Sequence, residues 1–486
     1  MSLTQFGFKK SRVPEDEEIR ERFRTLDVSN YKNKRVFLQA NAGAGKTTLI
    51  MDFLKNHREY KICIISYTNS VVETVKKKLK KEKLNCESVT FDGLCKRNKN
   101  ELVGKIDFHE SEWSAYTAKT IYRESIRDKK SNLSVEDHHK NFLNDPVEME
   151  KLYKYCKRTK KSNVYSNLML LYYKYVYKKF DIFIIDEAQD LGKWKRRFFD
   201  TKLPSVKAKI YIGDPKQSLY CDYNVFDTIK KEDEHFKLSH TYRYGSDLIK
   251  YINLRGYEYH TSFKDKRTRI HESVKINDCI HKIDFILVSK WKRVLDYLPY
   301  LLSNMCNIYD KGKDKIMGEI KNHKIYRIWH KKWLKNNPES LSEDEYFTKN
   351  GQEHLFDYKD SKWEAMEAFL NLKKEKAPCA IATVHQLKGL EGKNIYLDDS
   401  CYPEKNTNPG SIRGKDNIFY VALTRAQHSV SLPRDRNFYQ PYHYTIIEEK
   451  LKKMYIRSEE AFESFCRKHR VQDEYIIQKL KIHTSL

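Results

Sequence analysis

Short apolar runs recur along the chain, each closed by a polar, glycine-bearing turn. They read "RVFLQA", "KICIISYT", "FDIFIIDE", "AKIYIGD", "DFILVSK", "CAIATVH" and "KNIYLDD". Runs rich in β-branched residues that are apolar on both faces, and that alternate with helical stretches, are the pattern of buried strands in parallel sheets. The first four and last three form two groups, which predicts an α/β chain with two sheets. Two stretches lack the pattern. One lies between "FDGLCKR" and "FDIFIIDE", is rich in Lys and Tyr, and reads as a helical insertion. The other runs from Tyr309 to Lys376; Trp329 and Trp333 stand one helical turn apart there, and Ser361 with Glu364 forms a capping box opening "SKWEAMEAFLNLKK". The stretch after Glu448 has the pattern of a basic amphipathic helix.

Composition sharpens this picture. A chain of 486 residues exceeds what one hydrophobic core supports, so several domains are expected. The 93 Lys and Arg against 67 Asp and Glu leave a formal charge of +26, which favours a polyanionic partner, nucleic acid first. An AT-rich coding bias toward lysine accounts for part of that charge. The ten cysteines show no CxxC pair and no zinc-ligand spacing, so they read as reduced, mostly buried thiols of an intracellular protein. No apolar run approaches the roughly 18 residues that span a bilayer. A soluble protein of nucleus or cytoplasm is therefore expected. The amino-terminal "QFGFKK" reads as a frayed end, or as a short docking peptide.

Candidate chemistry begins with "ANAGAGKTT", which follows a strand and precedes the apolar helix "TLIMDFL". Such a loop cradles phosphate oxygens on backbone N–H groups. Ala42, Gly43, Ala44, Gly45, Lys46, Thr47 and Thr48 are thus candidate nucleotide ligands for ATP, with Lys46 reaching the terminal phosphates and Thr47 binding Mg2+. The second half is "FIIDEAQD", a strand ending in paired carboxylates. Asp186 suits the Mg2+ ion, directly or through water, and Glu187 suits polarisation of the attacking water.

"DEAQD", followed in order by "YIGDPKQSLY", "LSHTYRYG", "TVHQLKGLEGKNIYL" and "FYVALTRAQHSV", resembles the motif set of UvrD-like superfamily 1 helicases. "SYTNSVVETV" and "VTFDGLC" resemble the family's nucleic-acid-contact motifs. In that family the phosphate loop often opens with alanine, as Ala40 does here. The resemblance implies two RecA-like parallel-sheet domains: 1–95 with 180–240 as the first, and 241–308 with 377–448 as the second. Helical insertions at 96–179 and 309–376 and a basic tail at 449–486 complete the expected layout. It also implies roles. Gln217 would sense the γ-phosphate, Tyr242 would stack on adenine, Arg243 and Arg425 would reach the γ-phosphate, and Glu391 would contact the ribose. Tyr67, Thr68, Asn69, Thr90, Phe91, Tyr220 and His385 fall where the family grips single-stranded DNA. For Tyr67, Phe91 and Tyr220, core packing is the competing reading.

Departures from the family are specific. "EEIRERFRTLDVSNYKNK" contains no glutamine to read adenine, which leaves the choice of nucleoside triphosphate open. After "QSLY" the chain runs "CDYN", so Asp222 replaces the base-stacking aromatic and Tyr223 becomes the candidate platform. The second insertion is short for the family's mobile subdomain. "GDPKQSLY" and "LDDSCYP" are faintly similar to the F-box DNA helicases, with no room for an F-box before residue 40. The implied activity is an ATP-dependent helicase or translocase moving 3′ to 5′ on single-stranded or tailed duplex DNA, with replication or repair proteins as partners. Competing classes are an RNA helicase, a nucleotide-switched binding scaffold, and a nuclease-linked repair subunit read from Asp357, Tyr358 and Lys359 of "LFDYKDSK".

Overall fold

The computed structural model describes residues 14–32, 34–104, 107–108, 146–159, 161–162, 164–176, 179–203, 206–219, 224–253, 260–262, 266–303, 305–309, 312–321, 360–371, 377–402 and 409–433. The chain separates into two compact units whose main division falls between Leu238 and Ser239.

The first unit holds strands β1 (Arg35–Ala40), β2 (Ile62–Ser66), β3 (Glu87–Thr90), β4 (Asp107–Phe108), β5 (Lys161–Ser162), β6 (Ile182–Asp186), β7 (Ala208–Gly213) and β8 (Glu234–Leu238). Six of them form one sheet in the order β3-β2-β6-β7-β1-β8, every pairing parallel. The central strands β1, β2, β6 and β7 are buried at every residue, because helices cover both faces. Edge strand β8 alternates instead, with Phe236 and Leu238 inward. A parallel sheet sends all its carboxyl ends to one edge. The segments after β1, β2, β3, β6 and β7 therefore gather there, and these carry the motifs.

Helices α1 (Pro14–Arg24), α2 (Lys46–Asn56), α3 (Asn69–Lys81), α4 (Phe91–Val103), α5 (Pro146–Thr159), α6 (Val164–Tyr173) and α7 (Lys193–Lys202) surround this sheet. Phe23 of α1 meets Phe53 of α2 at 5.4 Å and Phe236 of β8 at 5.6 Å between ring centroids. On the other side, Phe198 and Phe199 of α7 pack edge-on against Phe91 of α4, and Tyr172 of α6 packs edge-on against Phe198. At the sheet's opposite edge, Arg35 is held by Asp233 through Nε–Oδ1 (3.1 Å) and Nη2–Oδ2 (2.5 Å).

The second unit holds β9 (Arg269–His271), β10 (Phe285–Val288), β11 (Cys306–Ile308), β12 (Cys379–Thr383), β13 (Gly392–Leu397) and β14 (Ala426–Ser431), again all parallel, in the order β11-β12-β10-β13-β14-β9. Helices α8 (Ser246–Asn253), α9 (Asp360–Asn371) and α10 (Pro409–Leu423) belong to it, as does a helix at 312–321. Trp363, Met366 and Phe369 of α9 pack with Leu301, Ile308 and Ile381 in its core.

Several expectations need correction. The first insertion is not wholly helical, because Asp107–Phe108 and Lys161–Ser162 make a short parallel pair beside α5 and α6. Helix α9 starts at Asp360, so Ser361 lies in its first turn rather than before it. Strands β3, β8, β9, β11 and β14 were not among the expected runs. "QFGFKK", Trp329, Trp333, the triplet 357–359 and the tail 449–486 lie outside the described residues. Among the described residues, seven of eight cysteines are buried, and no helix is long and apolar enough to cross a membrane.

Candidate nucleotide-hydrolysis site

The phosphate loop leaves β1 at Ala40 and enters α2 at Lys46. Gly43 and Gly45 take φ of +76° and +78°, a region that costs a residue with a Cβ about 1–2 kcal/mol. Gly45 is the N-cap of α2 and supplies no side-chain cap, so the first-turn N–H groups are left for another acceptor. That is the arrangement of an anion site at a helix N-terminus. The Lys46 ammonium donates to Ala40 O at 3.3 Å, lying back along its own loop. Thr47 is half-buried and Thr48 exposed in the same turn.

Two strands away, β6 ends in Asp186, 7% exposed. Glu187 follows in the left-handed region at φ +54°, an uncommon conformation for a residue with a side chain. Its N–H donates to Asp186 Oδ1 (3.0 Å), which locks the two carboxylates into one turn. Gln189, fully buried, donates from Nε2 to Glu187 Oε2 (2.5 Å) and accepts at Oε1 from Asp214 N (3.2 Å). Asp214, after β7, accepts from Gln217 Nε2 (2.9 Å). Asp190 Oδ1 accepts from Leu219 N (3.2 Å) and Gln189 O from Ser218 Oγ (3.1 Å). One continuous network thus joins Glu187 to Gln217 through two residues, Gln189 and Asp214, that sequence reasoning did not single out. Gly213 makes room for it, since a Cβ there would lie 2.1 Å from Gln189 Oε1. The signal was present in "DEAQD" and "GDPKQ": polar residues directly after buried strands need partners, and these find each other.

In the second unit, Arg243 donates from Nε to Glu391 Oε1 (2.6 Å) and from Nη1 to Thr424 O (3.0 Å). Gln427 Nε2 donates to Glu391 Oε2 (2.6 Å). Burial pushes the Glu391 carboxyl up, but Arg243, Gln427 and Arg425 more than offset this and hold it below its ordinary value. Tyr242 is half-buried, edge-on to His240 at 5.0 Å, and its carbonyl accepts from the Lys266 ammonium. Burial lowers the Lys266 pKa. Arg425 is 1% exposed, with Nε on Val421 O (3.0 Å) and Nη1 on Leu390 O (3.4 Å). Its Nη2 also donates to Thr424 Oγ1 (3.2 Å) in the same unit.

The strand-contact candidates divide by environment. Tyr67, Thr68 and Asn69 are exposed at the end of β2, with Tyr67 at 39%. Thr68 Oγ1 caps α3 by accepting from Val71 N (3.4 Å), and Thr90 Oγ1 caps α4 by accepting from Gly93 N (3.0 Å). Phe91 is 4% exposed and packs on Phe198 and Phe199, in line with the core-packing reading. His385 is half-buried in a short helix after β12, whose N-cap is Thr383. Tyr220, Asp222 and Tyr223 lie outside the described residues.

Residues 26–222 match the family model of an AAA domain, and residues 365–432 match that of the UvrD-like helicase C-terminal domain. No curated protein matches the chain. Among solved structures the chain is similar to the PRRSV helicase, at 12% identity and a TM-score of 0.34, covering 87% of this chain and 56% of that one. It is also similar to the arterivirus nonstructural protein 10 helicase solved with DNA, at 10% identity and a TM-score of 0.34, covering 84% of this chain and 63% of that one. The chain thus spans less than two thirds of the length of either neighbour. The two family matches embrace the phosphate loop, the paired carboxylates and the Arg425 segment, and the chain belongs to the UvrD-like superfamily 1 helicases.

Proposed function

We propose that this chain hydrolyses ATP and uses the cycle to move 3′ to 5′ along single-stranded DNA, separating tailed duplexes. The observation that carries the reading is the sheet order β6-β7-β1. It brings Lys46, Asp186, Glu187 and Gln217 to the carboxyl edge of three adjacent parallel strands. Backbone N–H groups of the loop bind phosphate oxygens, and Lys46 turns from Ala40 O to the terminal phosphate. A buried carboxylate on Asp186 and a hydroxyl on Thr47 are hard oxygen donors of the kind Mg2+ takes alongside phosphate. The bound ion would neutralise charge on the phosphates. Glu187, fixed by its own backbone turn and by Gln189, orients the attacking water and accepts its proton. Gln217, tied to the same network, reads the γ-phosphate.

In the second unit we assign Arg243 to the charge developing on the transferred phosphoryl group, a role worth on the order of 10³ or more in rate. Tyr242 and Glu391 are assigned to the nucleoside, and Glu391 also holds Arg243 in place. Arg425, which bonds Leu390 O and Thr424 Oγ1, is assigned with Arg243 to the γ-phosphate. For the strand, Tyr67, Thr68, Asn69, Thr90 and His385 are assigned as contacts, joined by Tyr220 and Tyr223 from the sequence. The charge of +26 supplies the attraction to a polyanion. Direction rests on the resemblance of "DEAQD" and "FYVALTRA", and a place beside replication or repair proteins on the family. Two unwinding substrates test it. A duplex with a 3′ single-stranded tail is expected to open in the presence of ATP and a 5′-tailed one to stay closed. Preferential opening of the 5′-tailed duplex, or equal action on RNA, overturns the assignment of direction or of substrate.

A further inference from the structure

A cation lies over one face of the exposed Tyr67 ring. Lys195 Nζ lies 5.8 Å from the Tyr67 ring centroid and 5.4 Å from that of Phe91, and 3.5 Å from Asp92 Oδ1. These residues line a shallow cleft whose wall also includes Asp186 and Glu187. Helix α7 assembles the whole arrangement: Lys195 holds Tyr67, while Phe198 and Phe199 hold Phe91. The chain enters α7 directly from the catalytic turn, through the buried Gln189 and Asp190 and through Gly192 at φ +70°.

We infer that Lys195 is a positioning residue that fixes Tyr67 as a base-stacking platform and, through the segment from Glu187 to Lys195, couples an occupied platform to the hydrolytic turn. This rests on the nucleic-acid-stimulated motor proposed above. The physical basis is twofold. A cation behind one face of an aromatic ring draws on its π-electrons, which leaves the other face better suited to an electron-rich base. And a base pressing on Tyr67 acts on Lys195, from which the chain leads back to the buried stretch 188–191 directly after Glu187. The alternative for Lys195 is direct contact with a phosphate; its ion pair with Asp92 and its place over the Tyr67 and Phe91 rings favour the platform.

The test compares wild type, Lys195→Met and Lys195→Arg, all checked for an unchanged melting temperature, with an oligothymidylate as the strand. Three quantities are read: the ratio of stimulated to basal ATP turnover at saturating strand, the half-saturating strand concentration, and the salt slope of strand affinity. Lys195→Met is expected to lower the saturated ratio by about threefold or more and to leave the salt slope unchanged, while Lys195→Arg, which keeps the cation over the rings, restores most of the ratio. A full ratio and unchanged half-saturation in Lys195→Met would make the lysine a solvated surface charge and overturn the inference. A salt slope reduced by about 0.7 with the saturated ratio intact would make it a phosphate contact, and overturn it equally. If wild type itself is not stimulated by any strand, the motor reading fails and this inference falls with it.

Discussion

Gly213 and Gln189 show how much of the turn at Glu187 depends on single atoms. An alanine at 213 would place its Cβ 2.1 Å from Gln189 Oε1, so Gln189 must leave both Asp214 N and Glu187 Oε2. Misplacing a water-orienting carboxylate by such a shift costs on the order of tenfold to a hundredfold in rate. Gly213→Ala is therefore expected to depress stimulated turnover by that amount while strand affinity holds; steady-state kinetics beside a strand-binding titration check it, and undiminished turnover contradicts it. Glu391 yields a pH prediction. Its folded-state pKa lies below the ordinary 4.5, so its contribution to stability is present above that value and is lost as pH falls through the lowered one. Wild type should lose melting temperature relative to Glu391→Gln as pH is taken from 6 into that acid range; parallel curves would refute this. At this scale the sequence was legible where a residue type has one use. The placement of Lys46, Thr47, Asp186 and Glu187 at strand ends was readable because loop and carboxylates follow apolar runs. Which of its two readings Phe91 follows was not, since motif position says which turn a residue occupies and not whether its side chain faces inward. Gln189 escaped because its importance lies in partners distant in sequence.

Elements were legible in proportion to their burial. The runs that became β1, β2, β6, β7, β10, β12 and β13 are apolar because helices cover both faces of a parallel sheet. Strand β8, "EHFKL", sits at an edge and alternates, and β14, "AQHSVS", carries polar residues and a register shift opposite Gly392–Asn394. Neither has enough apolar surface to announce itself. Helix α7 is another case: "KWKRRFF" is strongly basic at its start, yet Phe198 and Phe199 are fully buried and bind α4 and α6 to the sheet. Truncating Phe198 removes contacts with Phe91, Tyr172, Tyr175 and Phe199 at once. Phe198→Ala is expected to cost about 3–5 kcal/mol, read as a lower denaturant midpoint at constant slope. A loss below about 1 kcal/mol would mean the aromatic cluster is not the joint described here.

At the scale of the molecule, two parallel sheets and a large positive charge are the features a motor on nucleic acid requires. Strand affinity should fall steeply with salt, with a log–log slope near −0.7 for each phosphate neutralised on a single strand. Lys157 and Arg158 at the end of α5 belong to the footprint if their joint neutralisation flattens that slope; an unchanged slope excludes the insertion. The proposal at the centre of this account is that Lys46, Asp186, Glu187 and Gln217, gathered at the carboxyl edge of β1, β6 and β7, hydrolyse ATP in response to a bound strand. ATP turnover by the whole chain, with and without single-stranded DNA, for wild type, Lys46→Ala and Glu187→Gln, tests it most directly. Stimulation by the strand in wild type, lost in both variants while they still bind DNA, is the predicted result. Turnover indifferent to the strand, or surviving undiminished in both variants, would contradict it.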